Sequence, residues 1–196
     1  MKRWISFLLA AGMALALCGC SKKPTVTAEG TDWDEDWTLV GATIGVEEPG
    51  NGLTLLDNKD ALAVSDLYYA AWTIGDKTEY VNEDDETVDL YDAQLYVLLE
   101  DCKSVEKAEA EVAEWQATEE ENYSVSETQT VTCAGQEFTV LIYDGTGGDN
   151  PYSFGATAFA VYDNHAINAE LTCQEGFEGD AFAILTEFLE GFHYAE

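Results

Sequence analysis

Between residues 124 and 173 the chain reads as two consecutive hairpins, and this pattern restricts the fold more than any other feature. In "SVSETQTVTCAGQEFTVLIYDG" (124–145) apolar and polar positions alternate on either side of Ala134-Gly135, placing Phe138, Val140 and Ile142 on one face. A Gly-rich connection, "GTGGDNP", leads to "YSFGATAFAVYDNHAINAELTC" (152–173), which turns at Asp163-Asn164-His165. Ile167, Ala169, Leu171 and Cys173 are expected to face inward, with Asn168, Glu170 and Thr172 outward. A period of two sorts these residues onto opposite faces only if they are strands; on a helix they would scatter around the axis.

The remaining elements fit around that pair. "WTLVGATIGV" (37–46) reads as a first strand, "LTLLDNKDALAV" (53–64) as a hairpin turning at Asp57-Asn58-Lys59, and "DLYYAAWTIG" (66–75) as a buried strand. A polar connection follows, "DKTEYVNEDDETVD". In "LYDAQLYVLLED" (90–101) apolar residues run without helical gaps, as in a strand covered on both faces. The clearest helix is "SVEKAEAEVAEWQATEEENY" (104–123), with Ser104 as N-cap, Val105, Ala108, Val112 and Trp115 at 3–4 spacing, and acids on the other face. "GDAFAILTEFLEGFHY" reads as a closing helix capped by Asp180, its buried stripe formed by Ala181, Leu185, Phe188 and Phe192. Strands and helices are segregated rather than alternating. The expected fold is therefore α+β, an antiparallel sheet packed against two main helices.

Over residues 90–196 this order of elements resembles the PsbP-like domains, with antiparallel strands, a polar hairpin and a final amphipathic helix sealing the sheet. The stretch carrying the resemblance is "GATAFAVYDNHAINAELTC", followed by "AFAILTEFLEGF". It implies a PsbP-like sandwich and, as in exported lipoproteins of that group, a binding or assembly role without catalysis.

The N-terminus carries a different message. Met1-Lys2-Arg3 precedes the apolar run "WISFLLAAGMALAL", which is shorter than the ~20 residues of a spanning helix. The run ends in Leu17-Cys18-Gly19-Cys20, which resembles the bacterial lipobox. Gly19 supplies the small residue before the lipidated cysteine and Leu17 the apolar residue three places before it, so the resemblance assigns the lipid to Cys20. Cys18 fails the same test, because Leu17 would stand where only a small side chain is accepted. Lys22-Lys23-Pro24 directly after the run is incompatible with a continuing core helix. The expected organisation is a lipoprotein signal peptide at 1–19, an acidic tether at 20–36, and one domain at 37–196. The resemblance implies palmitate-type acylation and a place on the extracytoplasmic face of the cell membrane. Ser21 after the lipid cysteine and the acidic ectodomain suit a Gram-positive surface.

The whole chain has 39 acidic residues against 8 basic ones, for a net charge of −31. Loss of residues 1–19 removes Lys2 and Arg3, the only arginine, and takes the net charge to −33. Such a field repels phosphate backbones, which excludes nucleic acid as a partner, and removes the bidentate guanidinium clamp for anions. Cys102, Cys133 and Cys173 remain besides Cys20. No C-x-x-C occurs, and each of the three sits in or beside an apolar run, so they read as buried thiols.

No motif names a reaction. The acid runs at 32–36 and 82–86 lack the glycine and terminal glutamate of an EF-hand loop, and read as solvated loops. "DGTGGDNP" lacks the lysine and hydroxyl residue of a phosphate loop, and no serine stands in a G-x-S-x-G elbow. His165 and His193 have no metal-ligand partner at helical spacing. No catalytic residue, metal site or cofactor is assigned. Tyr68, Tyr69, Trp72, Tyr91, Tyr96, Tyr143, Tyr152 and Tyr162 lie on or beside strands and read mainly as core and sheet packing, while Trp33 and Trp37 are placed to staple the tether to the domain. The sequence thus points to a lipid-anchored extracytoplasmic binding or scaffolding protein, serving an extracytoplasmic protein or a small ligand. The competing reading is a small cell-surface hydrolase using paired carboxylates or a Cys–His pair.

Overall fold

A computed structural model of the chain describes residues 37–39, 44–47, 49–56, 67–82, 85, 87–146 and 150–194. Leu17, Gly19, Cys20, the tether with Trp33, and the Asp57-Asn58-Lys59 turn lie outside the described residues. The strands are β1 (Trp37–Leu39), β2 (Ile44–Glu47), β3 (Thr54–Leu55), β4 (Leu67–Ile74), β5 (Thr78–Val81), β6 (Thr87–Leu90) and β7 (Ala93–Asp101). Helix α1 (Val105–Asn122) leads directly into β8 (Tyr123–Cys133), followed by β9 (Gln136–Thr146), β10 (Tyr152–Tyr162) and β11 (His165–Gln174). Helix α2 (Ala181–Glu190) and β12 (Phe192–Tyr194) complete the described chain.

Seven strands form one antiparallel sheet in the order β3-β4-β7-β11-β10-β9-β8. A three-stranded sheet, β1-β2-β12, and the β5-β6 hairpin accompany it. The antiparallel α+β expectation holds, with more sheet than a single layer on two helices. Both long hairpins turn where the sequence placed them. Ala134 and Gly135 have φ of 49° and 81°, as a two-residue type I′ turn requires. Ser104 and Asp180 cap their helices, accepting from Lys107 N at 3.3 Å and Ala183 N at 3.0 Å.

Four expectations are corrected. The stretch 37–46 is not one strand but β1 and β2, paired antiparallel with Trp37 opposite Glu47. The polar connection after β4 contains the β5-β6 hairpin. The closing helix stops at Gly191, and Phe192 enters β12 beside β2 instead of continuing the helical stripe. Finally, Asn168, Glu170 and Thr172 do not face solvent: β11 is buried from Ala166 to Cys173 without interruption.

That last correction has a plain cause. Ile167, Ala169, Leu171 and Cys173 pack in the main core with Leu185, Phe188 and Leu189 of α2, while Ala166, of the opposite parity, packs with Ala108, Val112 and Trp115 of α1. The helices therefore cover opposite faces of the sheet. On the α2 face, Phe188 meets Trp72 edge-on at 4.8 Å and Phe192 at 5.7 Å, so the helix, the large sheet and the small sheet share one aromatic joint. Ala156, Ala158 and Ala160 of β10 keep the sheet surface low beneath it. Phe188→Ala is expected to cost about 3–5 kcal/mol of unfolding free energy, measured by urea denaturation.

Candidate functional site

The two faces of the sheet carry different chemistry. Helix α1 has little apolar surface to offer. Val105 is exposed, and the buried residues of the helix are Ala108 and Glu119. Opposite Glu119, in the central strand of the large sheet, lies Glu170, which is 1% exposed. A buried carboxyl group is costly unless donors reach it, and here three phenols do. Tyr96, its direct partner across β7, donates to one carboxylate oxygen, and Tyr143 of β9 donates to the other at 2.7 Å. Tyr123, at the corner where α1 becomes β8, bonds to both Glu170 and Glu119 and stacks on Tyr143 at 4.2 Å.

Tyr143 reaches Glu170 by crossing the intervening strand β10. It can do so because Gly155, its register partner, has no side chain: an added Cβ would overlap the Tyr143 hydroxyl and the Leu171 carbonyl oxygen. Further along the face, Asn168 donates to Thr157 at 2.9 Å, Tyr152 bonds to Gln94 at 3.2 Å, and Tyr69 stacks on Tyr96.

Burial pushes both carboxyl groups above the usual range, Glu119 to about 9. For Glu119 the nearby Glu170 charge adds to the burial. Tyr123 has one O–H to give; donated to Glu170, it makes three phenolic donors there and leaves Glu119 as the member of the pair that keeps its proton at neutral pH and gives it to the Tyr123 oxygen. The Tyr96, Tyr123 and Tyr143 hydroxyls are raised too, first by burial and then by the acids beside them, and act as donors.

The opposite face holds an open groove of about 380 Å³ where β8, β9 and β10 meet the start of α2. Glu127, Asp144 and Asp180 give it negative charge, and Phe154 and Phe182 give it aromatic walls. Gln129 is held on the same side by a 3.0 Å bond to Glu127. Among the described residues no three His, Cys, Asp or Glu side chains converge as a metal site, and no described helix is long and apolar enough to cross a membrane.

Cys102, Cys133 and Cys173 are free and buried. Burial raises all three thiols, Cys133 to about 11 and Cys173 to about 12, which is the opposite of nucleophile activation. His165 pairs across the sheet with Asp101, the residue before Cys102, but the Cys102 thiol turns to the Glu100 carbonyl at 3.6 Å. His193 lies in β12, remote in sequence from any of these groups. Tyr69, Trp72, Tyr143 and Tyr152 are buried, as packing residues should be. In the sequence the convergence of Tyr96, Tyr123 and Tyr143 on one acid has a single trace, a lone glutamate between Asn168 and Thr172 on one face of a strand.

No protein-family model matches the chain, and no curated protein matches it. Among solved structures it is similar to the solution structure of cyanobacterial PsbP (CyanoP) from Synechocystis, at 13% identity and a TM-score of 0.44. The match covers 77% of this chain and 86% of that one.

Two outcomes follow from the buried pair. The native state retains protons that the unfolded chain has already lost, so stability is greatest below the ordinary carboxyl range near 4.5 and falls as pH rises toward about 9. Each such group contributes a slope of up to about 1.4 kcal/mol per pH unit. Urea unfolding between pH 5 and 9 should show this decline, and Glu119→Gln should flatten it. Separately, Gly155→Ala is expected to cost about 1–3 kcal/mol by displacing Tyr143 from Glu170, again read by urea unfolding.

Proposed function

We propose that this chain is a lipid-anchored, extracytoplasmic binding or scaffolding domain of PsbP-like architecture that does not catalyse a reaction. What supports the binding part is the division of its acids between the two faces. The carboxyl pair with perturbed protonation, Glu119 and Glu170, is sealed beneath α1, whereas the open groove presents acids and aromatic rings arranged for contact. A hydrolase would need the reverse, a tuned acid pair lining the opening. The Cys–His version of that reading is not favoured either, because burial holds the Cys102 thiol protonated.

Anchoring rests on Leu17, Gly19 and Cys20 in the sequence. Thioether attachment of a diacylglycerol to Cys20 holds the domain at the outer face of the cell membrane, with residues 20–36 as tether. The acidic domain is then repelled by anionic headgroups and stands away from the surface. Feeding cells an alkyne-labelled palmitate should label wild type and Cys18→Ala equally. Cys20→Ala should lose the label and leave the membrane fraction. Equal labelling of Cys20→Ala, or none in wild type, would overturn the anchoring.

A further inference from the structure

We propose that strand β8 is a docking edge, and that it receives an extended peptide bearing lysine or arginine as an eighth strand of the large sheet. This rests on the reading of the chain as a binding domain and names the partner's chemistry. β8 is eleven residues long and occupies the outer position, with β9 on one side and no described element on the other. Edge strands of this length are ordinarily blunted by lysine, proline or bulges. "YSVSETQTVTC" contains no lysine or proline, and its register irregularities lie between Tyr123 and Glu127. From Glu127 to Cys133 the pairing is regular.

The turn geometry identifies the groups that face outward. In a two-residue hairpin the flanking residues, here Cys133 and Gln136, form a hydrogen-bonded pair, and such pairs alternate with non-bonded ones along the ladder. The main-chain groups of Glu127, Gln129 and Val131 are therefore used toward β9. Those of Thr128, Thr130 and Thr132 point to the open edge.

The side chains of β8 specify what adds there. Glu127 and Gln129 line the groove on the α2 face together with Asp144, Asp180, Phe154 and Phe182. A strand laid about 4.8 Å outside β8 directs every second side chain over that groove. An ammonium or guanidinium would meet the carboxylates, and its aliphatic stem would lie along the phenylalanine rings. Main-chain bonds would supply affinity and the groove would select the charge. A second copy of the chain is the poorer occupant, because each copy carries a net charge of −31.

The test uses the full chain in detergent and a nine-residue peptide alternating Lys with Val, with a Glu–Val peptide beside it. Calorimetry should detect the Lys peptide alone, with affinity falling as salt is raised from about 50 to about 500 mM. Amide exchange at Thr128, Thr130 and Thr132 should slow on binding. Thr130→Pro removes an outward N–H while sparing the ladder to β9, and should weaken binding at least about tenfold. The double variant Glu127→Gln, Asp144→Asn leaves the strand intact and should reduce both the affinity and its salt dependence. The proposal is overturned if the Lys peptide does not bind, if Thr130→Pro binds it as wild type does, or if the Glu–Val peptide binds equally. It is overturned too if those amides are already protected by self-association. Labelling at Cys20 is scored separately, so failure of the edge and failure of the anchor are told apart.

Discussion

Glu170 stands in the fourth of seven strands, and a carboxyl group placed there must find donors before anything can cover that face. The sheet is arranged around this requirement. Tyr96 comes from the strand on one side, Tyr143 crosses Gly155 from two strands away on the other, and Tyr123 descends from the end of the helix above. Each donor fixes a different element relative to β11: β7, β9, and the α1–β8 corner. With these bonds made, α1 can lie on a polar sheet face although its own apolar residues are few.

The two helices thus hold the sheet by different means. Helix α2 does so by hydrophobic burial, through Leu185, Phe188 and Leu189 against a surface of alanines and large aromatics. Helix α1 does so through Ala108, Val112 and Trp115 at one end and the Glu119–Tyr123–Glu170 bridge at the other. A buried pair of acids contributes less stability than an apolar joint would, since desolvation offsets much of the hydrogen bonding. What it supplies is registry, because Tyr123 at the end of the helix reaches Glu170 only when that end sits over β11. It also leaves the α2 face as the one with an acidic groove beside an unpaired strand edge.

Local signals were legible in the sequence. The Ala134-Gly135 and Asp163-Asn164 turns, the Ser104 and Asp180 caps, and the strand faces of 138–142 and 167–173 all follow from spacing and turn chemistry. What spacing does not carry is the identity of the layer above a face. Glu170 alternates correctly and so read as solvent-facing, while its cover, α1, read as a helix with an acidic outer side that included Glu119. Phe192 continued the 3–4 spacing of Phe188 and was read as helical, although Gly191 between them was the stop signal. The β5-β6 hairpin was hidden by acids that strands seldom favour. The groove draws residues from three strands and a helix, and no linear pattern marks it.

Beneath α1, the Glu119 carboxyl group keeps its proton at neutral pH. Carbon-13 spectra of the glutamate side-chain carboxyls, recorded across pH 4 to 10, test this at the atom concerned. One resonance, absent from Glu119→Gln, is expected to titrate near 9. Titration of every glutamate below about pH 6 would contradict it.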